Sequence, residues 1–171
     1  HYYVDAVKDV AQKYPDWSFG LIGSFKLGGN KHRNFYSDDI IKKMKNIGPQ
    51  AQFHGFKNQE FVEQKMKSAS IIVVPSKWEE PFGRTALEAT SRGCATIISN
   101  RGGLNETTNQ ALILKNLDVS SIHRQIKYLI KNKKYRQLVQ KKSFENVEHI
   151  ISENTIIIDK IRQESLPYSL S

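Results

Sequence analysis

The sequence predicts an α/β fold in which one parallel β-sheet carries helices on both faces. Short apolar runs alternate with amphipathic segments of helical periodicity along the 171 residues. The chain shows no internal repeat, so the alternation describes one layered domain. The run Ile71-Ile72-Val73-Val74 is apolar at every position, which is typical of a parallel strand buried on both faces.

Composition fits one globular domain and leaves several ligand classes open. The chain is 39% hydrophobic and 10% aromatic, and a chain of this length buries about 70% of its unfolded surface. No run of 18 apolar residues and no signal pattern is present, so we expect a cytoplasmic protein. The single cysteine, Cys94, excludes an internal disulfide and is expected to be a small buried strand residue. The net charge of +9 suits an anionic substrate, an anionic membrane surface or nucleic acid.

The first half of the chain contains three predicted helices and two predicted strands. An apolar stripe over residues 1–14 ends before Pro15 and predicts the first helix. Ser37 is the expected N-cap of a helix that Gly48 and Pro49 end, and Asn58 is the expected N-cap of the next. The predicted helices cover residues 1–14, 37–47 and 58–67, and the predicted strands cover residues 17–22 and 51–54.

The second half begins with the strand at residues 71–74 and a helix of good helix formers that Gly93 ends. Further strands are predicted at residues 94–98 and 111–114, and a final helix at residues 154–166. Two apolar helical faces are predicted in the tail; they comprise Val119, Ile122, Ile126, Leu129 and Ile130, and then Leu138, Val139, Val147, Ile150 and Ile151. This tail is basic: no acid occurs between Val119 and Phe144.

The loop between residues 75 and 83 is the strongest candidate for a ligand site. It joins a buried strand to a helix N-terminus, and ligands of parallel sheets bind beyond the carboxyl ends of strands. The amides of Gly83, Arg84 and Thr85 are expected to face an anion, and the Arg84 guanidinium suits two phosphate oxygens. Glu80 in the loop and Glu88 one turn into the helix suit sugar and ribose hydroxyls, because a carboxylate accepts hydrogen bonds from such donors.

Two other loops offer weaker candidates. Gly23 and Ser24 open a basic loop that could line the phosphate side of the crevice, and a solvated loop is an equal alternative. Gly102 and Gly103 are expected to offer backbone amides to a bound sugar or its phosphate, and Glu106 is expected to accept a hydrogen bond from a sugar hydroxyl. An ordinary turn with an acid at a helix start is the alternative for this second loop. His54 is expected to be structural.

Taken together, Ser76, Glu80-x-Phe82-Gly83, Glu88, Gly93 and the run from Gly102 to Glu106 resemble the donor-binding half of retaining glycosyltransferases of family 4. That family has the GT-B fold, and the resemblance covers nearly the whole chain. It implies a Rossmann-like donor-binding domain at residues 1–153, and a helix and tail at residues 154–171 that could cross to an N-terminal domain.

The resemblance implies an enzyme of glycan biosynthesis. Such an enzyme transfers a hexose from a nucleoside diphosphate sugar to a glycan or lipid hydroxyl acceptor, with retention of anomeric configuration. Glu80 would hold the sugar, and Arg84 would stabilise the leaving diphosphate. The implied donor-binding residues are Ser76, Phe82, Gly83, Thr85, Glu88, Gly102, Gly103, Glu106, Gly23 and Ser24, with Gly55 and Phe56 near the base. The family needs no metal and no cofactor besides the donor, and the N-terminal domain sets the acceptor.

Part of the family pattern has no counterpart in this sequence. Five strands are visible where the family has six in the order 3-2-1-4-5-6, and the first, central strand is missing along with the Gly-Arg and Lys-Gly that grip the diphosphate. We therefore expect a piece of a longer protein with an open slot in its sheet, poorly stable and inactive alone. The loop after Gly23 is also long and basic, and Asn105 stands where proline is common.

Three alternatives remain open from the sequence. A nucleotide-sugar-binding domain without transfer, or a sugar epimerase, would keep the same pocket. A basic module that binds an anionic membrane or nucleic acid would show steeply salt-dependent binding. Nucleic acid is not expected as a partner, since the sequence lacks the interleaving of aromatic and basic residues that is typical of RNA binding. Peripheral contact with the inner face of the membrane is expected. A dehydrogenase is less favoured because no Gly-x-Gly-x-x-Gly follows a strand.

Overall fold

The computed structural model describes residues 1–23, 35–108, 110–145 and 147. Its helices are α1 (Tyr2–Lys13), α2 (Phe35–Ile47), α3 (Gln59–Ser68), α4 (Arg84–Thr90), α5 (Leu104–Thr107) and α6 (Val119–Lys131), and residues 133–145 are helical as well. Its strands are β1 (Phe19–Ile22), β2 (Ala51–Gly55), β3 (Ile71–Val74), β4 (Ala95–Ser99) and β5 (Leu112–Leu114). Among the described helices, none combines the length and apolarity needed to cross a membrane.

The strands pair in parallel and form two sheets. One has the order β1-β2, and the other has the order β3-β4-β5. Ile71 lies beside Ala95, and Ile97 lies beside Leu112. The predicted parallel α/β architecture is therefore confirmed.

The described strands form no ladder between β1 and β3. If the two sheets are placed edge to edge there, the strand order becomes β2-β1 followed by β3-β4-β5. This is the position at which the family resemblance predicts a further central strand. Leu21 of β1 and Pro75, directly after β3, line one cavity, so the carboxyl ends of these two strands lie near each other.

Alternate residues of β4 divide the core into two layers. Ala95 and Ile97 pack with α1 and α6, whereas Ile98 packs with Ala86 of α4 and Leu104 of α5. This division follows from the two-residue period of a strand, whose successive side chains point to opposite faces. All five residues of β4 are buried because it is the central strand of its sheet. Helices thus cover both faces, as predicted.

Most predicted elements are confirmed within one to two residues, and one predicted cap is confirmed by its contact. The Asn58 side chain accepts a hydrogen bond from the Phe61 amide at 3.1 Å. Ser37 is not an N-cap, because α2 begins at Phe35 and Ser37 is buried in its first turn. The β3 residues are half-buried rather than fully buried, since β3 is an edge of its sheet.

The basic tail differs from the prediction at one position. Val139 and Val147 are buried, but Leu138 is 47% exposed. Residues 139, 143 and 147 repeat every four positions and therefore share one helical face, which turns residue 138 away from the core. The predicted roles of Ile150 and Ile151, and of the helix and tail at residues 154–171, lie outside the described residues.

Candidate functional site

The loop between β3 and α4 lies at the carboxyl edge of the three-stranded sheet. Gly83 caps α4 with a left-handed backbone, φ 73° and ψ 37°, a conformation that favours glycine. The Gly83 carbonyl accepts hydrogen bonds from Ala86 at 3.0 Å and Leu87 at 3.2 Å. Among the described residues, none provides an acceptor for the amides of Gly83, Arg84 and Thr85. Anion binding by these amides stays a prediction.

Glu80 is held by the residue at the start of the same loop. The Ser76 hydroxyl donates to Glu80 Oε1 at 2.7 Å, and the Glu80 side chain is half-buried. The Ser76 carbonyl in turn accepts a hydrogen bond from the Ser99 hydroxyl at 2.7 Å, which ties the loop to the end of β4. Two residues singled out from the sequence, Ser76 and Glu80, thus form a contact that fixes one carboxylate at the sheet edge.

Arg84 and Glu88 form the second contact between predicted residues. Arg84 Nη2 lies 3.5 Å from Glu88 Oε1, one helical turn away. The Arg84 side chain is 77% exposed, so this ion pair is weak and the guanidinium can leave it for a stronger anion. Within the described part of the chain no hydrogen bond joins Glu80 to Glu88, and the two acids form separate pairs with Ser76 and Arg84.

Gly102 and Gly103 pack tightly against the β3–α4 loop. The Gly103 amide donates to the Glu80 carbonyl at 2.7 Å, and the Gly102 amide donates to a Glu79 carboxylate oxygen at 2.6 Å. A Cβ atom on Gly103 would lie 2.7 Å from the Pro81 carbonyl oxygen. The expectation that both amides are free for a ligand is therefore wrong for this structure. Their contribution to donor binding stays a prediction, and the structure gives them a packing role.

Glu79 and Arg101 are the site residues that the sequence analysis missed. Arg101 Nη1 lies 3.1 Å from Glu79 Oε1, while the other Glu79 carboxylate oxygen accepts from the Gly102 amide. One carboxylate thus bridges a side chain and a backbone amide of the loop after β4. Two adjacent acids at 79 and 80 were visible in the sequence, but no sequence signal told which of them faces the neighbouring loop.

The remaining predicted residues lie around the same edge. Gly55 ends β2 with φ 68°, and its carbonyl accepts from the Gly23 amide at 3.0 Å. Phe56 and Phe82 are 79% and 54% exposed. Thr85 and Glu106 are exposed as well, and Ser24 lies outside the described residues. Donor contacts of these residues stay predictions.

The surroundings of His54 agree with the structural role expected for it. Its ring packs edge-on against Phe61 with the ring centroids 5.3 Å apart. Partial burial lowers the pKa of His54, and Lys65 and Lys57 lower it further. The imidazole is therefore neutral over a wider pH range than a free histidine.

A cavity of about 340 Å³ opens between the carboxyl ends of β1 and β3. Leu21 contributes from β1, Pro75 to Trp78 contribute from the loop after β3, and residues of α1 and α2 complete the wall. Ser76 lines this cavity, but Glu80 and Glu88 do not. The Trp78 side chain is 79% exposed and was not singled out from the sequence.

The described residues contain no group of three His, Cys, Asp or Glu side chains that could hold a metal ion. That the transfer reaction needs no metal stays a prediction of the resemblance. The side chains at the sheet edge include three carboxylates, of Glu79, Glu80 and Glu88, and two guanidinium groups, of Arg84 and Arg101.

This combination of a parallel sheet with helices on both faces and a helix N-terminus at its carboxyl edge is typical of a Rossmann-like domain. The sequence profile of the family described as "Glycosyl transferases group 1" matches residues 1–145. The chain belongs to this family.

Solved and curated relatives agree with the fold. The chain is similar to Anabaena Alr3699/HepE, solved in complex with UDP, with a TM-score of 0.75 and 19% identity over 95% of this chain and 44% of that one. The C-terminal domain of LpcC, a glycosyl transferase group 1 family protein from Francisella tularensis, gives a TM-score of 0.72 with 22% identity over 86% of this chain and 76% of that one.

Among curated proteins, spore coat protein SA of Bacillus subtilis is 27% identical over 114 residues, which cover 64% of this chain and 29% of that protein. The chain thus spans less than half the length of this relative and of the Anabaena protein. The resembled GT-B C-terminal fold is confirmed by the solved structures.

Proposed function

We propose that this chain is the donor-binding part of a retaining glycosyltransferase of family 4, which transfers a hexose from a nucleoside diphosphate sugar to a glycan or lipid hydroxyl. One observation carries the proposal: free amides at the start of α4 lie between the Ser76–Glu80 pair and the Arg84–Glu88 pair. Membership of the glycosyl transferases group 1 family supports it. The Anabaena relative has been solved with UDP and with UDP-glucose.

The proposed roles follow from charge and position. The amides of Gly83 to Thr85 and the Arg84 guanidinium bind the diphosphate, whose negative charge grows as the sugar bond breaks. The Arg84 side chain is mostly exposed, and it breaks only a weak ion pair with Glu88 when it binds the diphosphate. Glu80 accepts hydrogen bonds from the sugar, and its orientation is fixed by Ser76. Glu88 accepts from the ribose diol, and the exposed Phe56 ring lies against the base.

The acceptor, the retaining stereochemistry and the cellular place belong to the same proposal. The acceptor is a glycan or lipid-linked hydroxyl bound by an N-terminal domain, and the enzyme works in the cytoplasm, peripherally at the inner face of the membrane. The donor is the only cofactor-like molecule required, and no metal takes part.

Calorimetric titration of an active preparation of the protein with UDP, GDP and ADP, and with the corresponding glucose nucleotides, tests the donor site. We expect one of the three nucleotides to bind, and Glu88→Gln to weaken its binding by about tenfold because a charge-assisted hydrogen bond to the ribose is lost. Glu60→Gln, on the exposed first turn of α3, is the matched control and should bind like the unchanged chain.

Two results would contradict the proposal. If none of the nucleotides binds, the donor site is wrong. If a nucleotide sugar binds but an active preparation neither transfers nor hydrolyses it, transfer is wrong and the chain is a nucleotide-sugar-binding domain.

A further inference from the structure

We propose that α6 and the helical residues 133–145 form a docking surface for an anionic lipid bilayer. The surface, called here the basic face, consists of Arg124, Lys127, Lys131, Lys133, Lys134, Lys141 and Lys142 with Tyr128, Tyr135 and Leu138. It is built from elements other than the β3–α4 loop, so it stands or fails separately from the donor site.

The first argument is uncompensated charge. Residues 119–144 include eight lysines and arginines and no acid. One of the eight, Arg136, is turned inward, where it donates to the Leu129 carbonyl at 2.7 Å and covers the Trp17 ring. Of the other seven, only Lys141 has an acidic partner within the described residues, Glu145 at 3.7 Å. The basic face therefore carries a large unpaired positive charge.

The second argument is that the helical residues 133–145 divide into a basic side and a buried side. Lys134, Leu138 and Lys142 are spaced four residues apart and lie on one helical face, and all three are exposed. Val139 and Ser143, one position later in each turn, are buried against the core. The helix therefore shows its lysines to solvent and its valines to the protein.

The third argument is the apolar surface among the charges. Tyr128 at the end of α6 and Tyr135 at the start of the next helical segment pack edge-on with ring centroids 5.3 Å apart. Both rings remain exposed, and so does Leu138. Lysines that surround exposed tyrosine and leucine side chains are typical of helices lying in a membrane interface, where the apolar groups enter the headgroup region and the ammonium groups bind lipid phosphates.

The same observations favour lipid over nucleic acid. Six of the seven outward cations are lysines, which bind phosphates as point charges, whereas nucleic-acid readers use forked arginines and stacked aromatic rings. The exposed Leu138 side chain shares a helical face with Lys134 and Lys142. An apolar side chain there has a place in the headgroup region of a bilayer but none on a phosphate backbone.

Cosedimentation of an active preparation of the protein with vesicles of equal parts phosphatidylcholine and phosphatidylglycerol tests the proposal. We expect binding that falls as salt is raised, and no binding to pure phosphatidylcholine. Lys134→Glu with Lys142→Glu should lower the partition coefficient at least about tenfold. Lys8→Glu with Lys42→Glu, at exposed positions of α1 and α2, makes the same change in net charge and should leave binding within about twofold.

A second variant separates a membrane from a general polyanion. Leu138→Ser removes an exposed side chain and should not alter the thermal unfolding temperature, but it should weaken vesicle binding several-fold while heparin binding is unchanged. The proposal is overturned if the chain does not bind anionic vesicles at low salt, if the two charge variants lose binding equally, or if Leu138→Ser weakens binding to single-stranded RNA as much as it weakens binding to vesicles. Nucleotide binding measured on the same variants should not change, which keeps this test separate from that of the donor site.

Discussion

The Gly103 amide lies 2.7 Å from the Glu80 carbonyl oxygen and joins the loop after β4 to the loop after β3. This hydrogen bond fixes the backbone position of Glu80, which is the residue expected to hold the donor sugar. Gly102 also joins the two loops, because its amide donates a hydrogen bond to a Glu79 carboxylate oxygen. A pair of glycines therefore shapes the site through packing.

Gly103→Ala should destabilise the fold by about 2 kcal/mol, because the new Cβ atom would overlap backbone atoms. Gly103 has an ordinary φ of −67°, and its Cβ would lie 2.7 Å from the Pro81 carbonyl oxygen. Gly93→Ala is the matched control: it has φ 76° but nothing within 4 Å of its Cβ. It should cost only about 1 kcal/mol of backbone strain. Equal unfolding free energies for the two variants in urea titrations would contradict the packing role.

The Glu79–Arg101 ion pair should contribute little to stability despite its good geometry. The two side chains are 69% and 46% exposed, so solvent screens their attraction. A double-mutant cycle with Glu79→Gln and Arg101→Gln should give a coupling free energy below about 1 kcal/mol, and it should shrink further in high salt. A coupling that is large and independent of salt would mean that the pair is more buried than the structure shows.

Glu80→Ala should reduce turnover about a hundredfold and change the donor affinity much less, because the proposed contact to the sugar matters most as the glycosidic bond breaks. Ser76→Ala should have the same pattern at about tenfold, since the Ser76 hydroxyl only positions the Glu80 carboxylate. Both values come from kcat and KM of an active preparation, with Glu60→Ala as the control. A Ser76→Ala variant that changes KM alone would show that Ser76 binds the donor without positioning Glu80.

Cys94 should be unreactive in the folded protein. Its side chain is fully buried, its thiol donates to the Met66 carbonyl at 3.1 Å, and burial raises the pKa of the Cys94 thiol to about 11 from its ordinary 9.0. A disulfide reagent at pH 8 should label the protein only after denaturation, because the thiolate is the reactive form. Rapid labelling of the native chain would contradict this burial.

The same pKa shift predicts a pH dependence of stability. The folded state disfavours the Cys94 thiolate, so the contribution is fully present below pH 9 and is lost as the pH rises toward about 11. The loss over this range should be at most about 3 kcal/mol. Cys94→Ala lacks the thiol, and the difference in unfolding free energy between the two proteins isolates the effect from other groups. A difference that does not vary with pH would refute the shift.

The elements of the fold could be predicted from local sequence because their signals are local. The Asn58 cap and the apolar run of β3 are each contained in a few neighbouring residues, and both elements were predicted. Ser37 was misjudged because a cap and a buried first-turn serine carry the same sequence signal. Leu138 was misjudged because the phase of a helix relative to the core depends on what packs against it.

The candidate site was predicted in part for the same reason. Ser76 and Glu80 are four residues apart in one loop, as Arg84 and Glu88 are in one helix, and each pair is joined in the structure. Contacts between the loop after β3 and the loop after β4 could not be predicted, since a sequence does not give the relative positions of the carboxyl ends of two strands.

The sequence by itself determined the alternation of strands and helices, the basic tail and the loop that carries two acids, because each depends on residues adjacent in the chain. Only the tertiary structure decided that Gly102 and Gly103 use their amides on the neighbouring loop, and that Glu79 pairs with Arg101. These features join residues about twenty positions apart, and their energies exist only once the strands between them have packed side by side.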